Sequence, residues 1–262
     1  MKFDNPEFLS LLPWLSGVAS ADAVCAAGSA CSADPVASAD AVRIAGNACS
    51  SDSADAVCAV PDFSRMISLY RQWNEKINVI SRKDIDNVFE HHILHSLCIA
   101  FYLAAECPDE LELWKRGGIS VLDLGCGGGF PGIPLASVFP NVEFTLCDSI
   151  GKKVTVASEV AKSLGLNNVH CVHSRAEQLP GQWDYVVSRA VTSLDNFLPW
   201  VEGRYRRGIL YLKGGDMTGE LDACRRKYGP AMPSVRTWNI ENVLKDEYYK
   251  EKLVVNLGIW QK

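Results

Sequence analysis

A glycine-rich turn between two apolar segments carries the residue types best suited to bind a nucleoside-containing ligand. The short apolar run 121–124 is followed by Gly125, Gly127, Gly128 and Gly129. Glycines at a strand-to-helix turn let a ligand approach the backbone closely. A second apolar run, residues 142–147, ends at Asp148, where a carboxylate can accept hydrogen bonds from ribose hydroxyls. Together these features predict a nucleoside-cofactor site on a Rossmann-like sheet.

The spacing of the glycines distinguishes between two kinds of nucleoside cofactor. A dinucleotide fingerprint has a third glycine at the position that Phe130 occupies here. The order aspartate-x-glycine-x-glycine-x-glycine, which begins at Asp123, instead resembles motif I of the class I methyltransferases, which bind S-adenosylmethionine. A nicotinamide enzyme and a glycine-rich turn without a ligand are the alternatives.

The composition fits one α/β domain with an added element. The chain has 262 residues, of which 48% are hydrophobic, and this is enough for a large core. No uninterrupted apolar run reaches the roughly 18 residues of a membrane helix. The segment before Phe8 lacks the positive charge of a secretion signal. We therefore expect a cytoplasmic protein with reduced cysteines and with neither a membrane nor a metal partner.

A repetitive insert, residues 17–60, interrupts the N-terminal region. Ser20-Ala-Asp-Ala-Val24 recurs at Ser38–Val42 and at Ser53–Val57. This composition offers little apolar surface to offset the entropy of ordering, so we expect the insert to be disordered. Its five aspartates and one arginine account for most of the chain's formal net charge of -5. The nearly neutral remainder can still present a local basic face to nucleic acid.

Apolar periodicity predicts how the rest of the chain is organised. We expect residues 1–16 to form an N-terminal helix and residues 61–116 to form a helical element with helices over 63–77 and 85–104. Residues 117–262 alternate between strands and helices, which predicts a doubly wound, mostly parallel sheet. The expected strands lie near 119–124, 142–147, 169–172, 184–188, 208–212 and 253–257.

Motifs beyond the glycine loop occur together in one known family. They are Trp73-Asn74 with Asn78 and Ser81, His92 with Ser96, Gly125 to Pro134, Cys147-Asp148-Ser149 with Lys152-Lys153, Arg175-Ala176-Glu177, Ser188-Arg189-Ala190 and Leu212-Lys213-Gly214. On these residues the chain resembles the RsmG (GidB) family, bacterial methyltransferases of a guanine N7 in 16S ribosomal RNA. The resemblance covers about residues 63 to 262.

The resemblance implies a Rossmann-like class I methyltransferase fold with an N-terminal helical extension. It implies S-adenosylmethionine as cofactor and, as target, the guanine at position 527 of 16S rRNA, in free RNA or in the small ribosomal subunit. The residues expected to bind the cofactor are Gly125, Gly127, Gly129, Phe130, Asp148, Ser149, Ala176, Glu177 and Arg189. Two positions depart from the family pattern, because His91 replaces a basic residue and His95 replaces an aspartate.

Three residues are candidates for a role in catalysis. Guanine N7 has a lone pair and no proton, so its methylation requires positioning rather than a general base. Arg189 is expected to position cofactor or substrate, Lys213 to contact phosphate and His92 to bind near the target base. The alternatives are a salt-bridge arginine, an ordinary loop lysine and a histidine that packs a helix. A small-molecule methyltransferase and a non-catalytic cofactor-binding interaction protein are the alternative functions.

Overall fold

The computed structural model describes residues 61–258. The helix expected within residues 1–16 and the insert at 17–60 lie outside the described residues. Helix α1, Phe63–Lys76, begins after Asp62, whose side chain accepts a hydrogen bond from the backbone N–H of Arg65 at 2.9 Å. It buries Phe63, Met66 and Tyr70, and Tyr70 reaches the glycine loop.

The segment expected to form one helix over 85–104 consists of three successive parts. A 3₁₀ turn, Ile85–Asn87, leads into a π-helical stretch, Val88–Leu94, and only then into α2, His95–Glu106. Apolar spacing could not distinguish these parts, whereas π-helical turns are frequent at functional sites. The whole segment is long and apolar enough to cross a membrane, but most of it is buried inside the fold. Helix α3, Pro108–Arg116, follows.

Within residues 61–258, seven strands form one sheet. They are β1 (Ser120–Leu124), β2 (Glu143–Asp148), β3 (Val169–His173), β4 (Trp183–Arg189), β5 (Tyr205–Gly214), β6 (Val235–Asn239) and β7 (Lys252–Gly258). Their order across the sheet is β3-β2-β1-β4-β5-β7-β6. Strands β1 to β5 pair in parallel, and β7 inserts antiparallel between β5 and β6. This confirms the mostly parallel sheet and adds β6, which the sequence analysis did not predict.

Helices cover both faces of the sheet. They are α4 (Gly132–Val138), α5 (Gly151–Ser163), α6 (Leu194–Val201) and α7 (Thr218–Tyr228). One buried cluster joins α1 to α5 with one face, and a second cluster joins α6 and α7 with the other. The strand order reverses between β1 and β4, and ligands of such sheets bind outside the carboxyl ends of the strands at this reversal.

Candidate cofactor and substrate site

A cavity of about 620 Å³ opens at the carboxyl ends of β1, β2 and β4. Its wall includes all but one of the residues predicted to bind the cofactor: Gly125, Gly127, Phe130, Asp148, Ser149, Ala176, Glu177 and Arg189. These residues come from three strand ends and from the turn after β3, and the fold brings them together at one edge of the sheet. Their individual roles stay predictions.

The glycine loop is held against the end of β2. The backbone N–H groups of Gly125 and Cys126 donate to the carbonyl oxygen of Cys147 at 2.8 and 3.1 Å. Gly125 has a φ of +74°, and a Cβ there would lie 2.5 Å from a methyl carbon of Val191. Gly127 has a φ of +57°, and a Cβ there would meet no atom within 4 Å. Glycine is therefore required sterically at Gly125, whereas at Gly127 it leaves the cavity open.

The carboxylate of Asp148 is fixed by two backbone donors. One oxygen accepts from the N–H of Gly127 at 2.8 Å, and the other accepts from the N–H of Ile150 at 2.8 Å. Each oxygen keeps a further lone pair, which can accept a hydrogen bond from a ribose hydroxyl. Asp148 therefore joins the glycine loop to the expected ribose position.

Two exposed apolar side chains stand on opposite sides of the loop. Ile150, after β2, is 48% exposed and Val191, after β4, is 37% exposed, and both belong to the cavity wall. Exposed apolar side chains at a cavity are typical of a binding surface. A ribose acceptor, an open glycine loop and apolar walls fit S-adenosylmethionine, which has a nucleoside and a methionine chain joined at a sulfonium and no phosphate.

The N-terminal element completes the wall behind the glycine loop. The hydroxyl of Tyr70 donates to the carbonyl oxygen of Gly128 at 3.0 Å, and its ring stacks on Phe130 with centroids 4.5 Å apart. The side-chain oxygen of Asn74 accepts from the N–H of Val79 at 2.8 Å. A Cβ on Gly128 would lie 2.9 Å from that of Val79. Asn74, which the sequence motif includes, thus holds a cavity-wall residue in place.

Two of the predicted site residues have other surroundings. Gly129 does not line the cavity. Its φ is +108°, and a Cβ there would lie 2.4 Å from Ile133, so the backbone conformation and the neighbouring side chain require glycine at this position. The side chain of Lys213 is 9% exposed, and its ammonium donates to Thr192 O at 2.9 Å and to a Glu220 oxygen at 3.0 Å. These contacts favour a structural lysine over the predicted phosphate contact.

Arg189 and His92 are in direct contact, which the sequence did not predict. The Arg189 guanidinium lines the cavity, donates to His91 O at 3.1 Å and to His92 Nδ1 at 2.8 Å, and lies 5.2 Å from the centroid of Phe130. The other nitrogen of His92 is 2.8 Å from a carboxylate oxygen of Asp84. Burial, and then the charge of Arg189, lower the pKa of His92 to about 4, so its imidazole is neutral near pH 7.

The two histidines that depart from the family pattern pack around Tyr248. The ring of His91 stacks on Tyr248 with centroids 3.6 Å apart, and His91 Nδ1 is 2.5 Å from the Asp84 carboxylate. His95 is 5% exposed, and burial followed by the charge of Arg189 holds its pKa well below the usual value. His95 is therefore a neutral core residue, while His91 belongs to the Asp84 cluster.

Asp123, the first residue of the glycine motif, is buried. One carboxyl oxygen accepts from the N–H of Gly132 at 2.7 Å, at the start of α4, and the other has no partner among the described residues. Burial raises the pKa of Asp123 to about 8. The residue braces α4 against β1 and does not line the cavity.

The turn after β4 has an unusual backbone. Ala190 has a φ of +47°, a left-handed conformation that is uncommon for a residue with a Cβ and clusters at binding sites. The N–H groups of Val191 and Thr192 both donate to the hydroxyl of Tyr211 at 3.1 Å, and that hydroxyl donates to Thr192 O at 2.9 Å. The tyrosine thus fixes the turn that presents Val191 to the cavity.

Comparisons with known proteins find named relatives of this chain. The family model of GidB, rRNA small subunit methyltransferase G, matches residues 60–245. Ribosomal RNA small subunit methyltransferase G of Porphyromonas gingivalis is 46% identical over 206 residues, which cover 75% of this chain and 86% of the relative. The protein of the same name from Flavobacterium johnsoniae is 42% identical over 208 residues, covering 76% and 91%.

A solved structure shares the fold. Magnesium protoporphyrin IX methyltransferase of Synechocystis PCC 6803, with bound S-adenosylmethionine, aligns over 75% of this chain and 91% of its own with a TM-score of 0.53 and 18% identity. The seven-stranded sheet is thus that of a Rossmann-like class I methyltransferase, as the glycine motif predicted. The extent of the family match, together with the identity to the two named relatives, shows that the chain belongs to the GidB family of rRNA small subunit methyltransferases G.

Proposed function

We propose that this protein transfers a methyl group from S-adenosylmethionine to N7 of a guanine in 16S rRNA, at position 527. The family match supports the rRNA substrate, and the cavity at the glycine loop supports the cofactor. The partner is the rRNA, either free or within the small ribosomal subunit, and the protein is expected to act in the cytoplasm.

Different residues of the cavity wall can bind the cofactor and the target base. S-adenosylmethionine supplies a methyl group on a sulfonium, which is transferred when a nucleophile lies in line with the bond to sulfur. Asp148 and the glycine loop bind the nucleoside end, next to Ile150. On the β4 side, Val191 offers an apolar surface to a flat base, and Arg189 offers donors to a carboxylate or a base oxygen.

The state of the histidines suits a nucleophile that has no proton to lose. His92 is neutral, but both of its ring nitrogens are engaged, with Asp84 and with Arg189. His95 is buried away from the cavity wall. Guanine N7 attacks through its lone pair, so an arrangement in which the nearby histidines hold other groups in position is sufficient. Methylation of an exocyclic amine would instead require removal of a proton.

Two cations in the cavity wall are candidates for contacts with the RNA backbone. Lys153, in the first turn of α5, and Arg175, after β3, line the cavity, and within residues 61–258 neither forms an ion pair with a carboxylate. Arg175 is exposed and Lys153 is partly exposed. Phosphate contacts by such residues supply attraction that weakens with salt, which suits a large polyanionic substrate better than a small neutral one.

The decisive experiment offers labelled S-adenosylmethionine with three substrates: 16S rRNA without the modification, small subunits without it, and a pool of small metabolites. We expect one methyl group on the RNA or the subunit. It should lie at a guanine where reduction of the cationic ring, followed by aniline treatment, breaks the RNA chain. The proposal is refuted if the protein binds S-adenosylmethionine but labels neither RNA nor subunits. Label on another guanine atom would retain the substrate class and refute N7.

A further inference from the structure

A hydrogen-bonded chain runs from the N-terminal element to the cofactor cavity. Both carboxylate oxygens of Asp84 are engaged, one with His91 Nδ1 at 2.5 Å and one with His92 Nε2 at 2.8 Å. The second ring nitrogen of His92, Nδ1, is 2.8 Å from a terminal nitrogen of Arg189. The chain therefore joins Asp84, which precedes the π-helical stretch, to an arginine at the end of β4.

The chemistry of the three groups fixes the position of one proton. A guanidinium only donates hydrogen bonds, so His92 Nδ1 must accept from Arg189. A neutral imidazole then carries its proton on Nε2, and this N–H donates to the Asp84 carboxylate. The network is consistent only with this tautomer.

The contact with His92 is one of the few that hold the Arg189 guanidinium. Within residues 61–258 its guanidinium forms no ion pair with a carboxylate, and its side chain is held by His91 O, His92 Nδ1 and the face of Phe130. The carboxylate of this network, that of Asp84, contacts the imidazole of His92 and not the guanidinium itself. Loss of Asp84 would release both the ring and the preferred tautomer.

We propose that Asp84 is a positioning residue for methyl transfer, which sets the His92 tautomer and thereby holds Arg189 towards the cofactor and the target base. The kinetic test of this inference rests on the proposed function. The His92 tautomer can be measured whether or not the protein methylates RNA. Asp84 belongs to none of the sequence motifs. Neither Asp84 nor His92 needs to touch the reacting atoms, so both act through the arginine.

The test compares Asp84→Ala with Asp86→Ala, since Asp86 is an exposed aspartate two residues away with no hydrogen bond or ion pair among the described residues. The ¹⁵N chemical shifts of His92 in the wild-type protein should show the proton on Nε2. In Asp84→Ala the Nδ1-protonated form should appear, and kcat should fall by about tenfold, the lower end of the loss seen when the carboxylate that orients a metal-ligand histidine is removed. Asp86→Ala should match the wild type in both measurements.

A further variant keeps the proposal testable if Asp84→Ala does not fold. Asp84→Asn retains one amide oxygen that can accept from His92 Nε2–H, so it should recover part of kcat and keep the wild-type tautomer. A wild-type His92 protonated on Nδ1 would overturn the proposal, as would Asp84→Ala with the kcat of Asp86→Ala. A wild-type protein that shows the Nε2 tautomer but does not methylate RNA would refute the proposed function and leave the network intact.

Discussion

The glycine at position 127 allows the cofactor site to be tested separately from the stability of the fold. Gly127 has a φ of +57° and Gly203 has a φ of +70°, and a Cβ on either would meet no atom within 4 Å. Only Gly127 lines the cavity, whereas Gly203 is an exposed residue after α6. Gly127→Ala and Gly203→Ala thus impose a similar backbone strain at two places with different surroundings.

The expected effects follow from these geometries. The left-handed conformation costs a residue with a Cβ roughly 1–2 kcal/mol, and the lower entropy of the unfolded alanine chain offsets about 0.4–1 kcal/mol of this. Both variants should therefore lose about 1 kcal/mol of unfolding free energy, or roughly 2–4 °C in Tm for a domain of this size. The added methyl group of Gly127→Ala also enters the cavity and should weaken S-adenosylmethionine binding by at least about tenfold, or about 1.4 kcal/mol.

Isothermal titration with S-adenosylmethionine and thermal unfolding measure the two effects independently. The expected result is an equal loss of Tm in both variants and a raised Kd in Gly127→Ala alone. Equal Kd values in the two variants, at equal stability, would show that the cofactor does not approach the glycine loop at Gly127. The assignment of this cavity to the cofactor would then be refuted.

Four further substitutions test the charged residues around the site. Because burial raises the pKa of Asp123 from 3.8 to about 8, the folded protein holds a proton that the unfolded chain releases, so unfolding free energy should fall as pH rises from about 4 to about 8. Asp123→Asn should flatten this dependence in urea titrations at pH 5 and pH 8, and an unchanged slope would contradict the burial argument. Lys153→Ala and Arg175→Ala should each reduce the slope of the logarithm of the RNA association constant against the logarithm of salt concentration by about 0.7 to 0.9. Lys162→Ala, near the other end of α5, is the control. Slopes equal to that of the control would show that these two residues do not contact the RNA. Lys213→Met should cost about 1–3 kcal/mol of stability, since Thr192 O and a partly buried oxygen of Glu220 each lose a charged donor. It should change methyl transfer per folded molecule little; lost transfer at full stability would restore the predicted phosphate contact.

Most of the sheet was predictable from the sequence. Strands β1, β2 and β4 are short runs of mostly buried residues, whereas β3 is a partly exposed edge strand. The predicted bounds of all four differ from the observed ones by at most one residue. Strand β6 was missed because only Trp238 among its five residues is buried, so it has neither an apolar run nor a clear alternation. The π-helical stretch was missed because apolar spacing indicates which face is buried, and not which hydrogen bond closes each turn.

The site was predictable to the extent that it is local in sequence. The glycine loop lies within a few consecutive residues, and Asp148 follows the next strand, so both can be recognised from the order of residues. The contact between His92 and Arg189 joins positions 97 apart, and that between His91 and Tyr248 joins positions 157 apart. Such contacts leave no local pattern, and for the same reason Asp84 could not be selected from the other acidic residues.

The contacts of the N-terminal element explain why a sheet that could bind a nucleoside alone has helices before its first strand. The glycine loop ends β1 and the arginine ends β4, and both face a cavity that an isolated sheet would leave open on one side. Tyr70 supports the loop through Gly128 and Phe130, while His92 supports Arg189. Phe130 contacts Tyr70, His92 and Arg189 at once. A displacement of the N-terminal element would therefore disturb the cofactor side and the target side together, and this couples the integrity of that element to the alignment that methyl transfer requires.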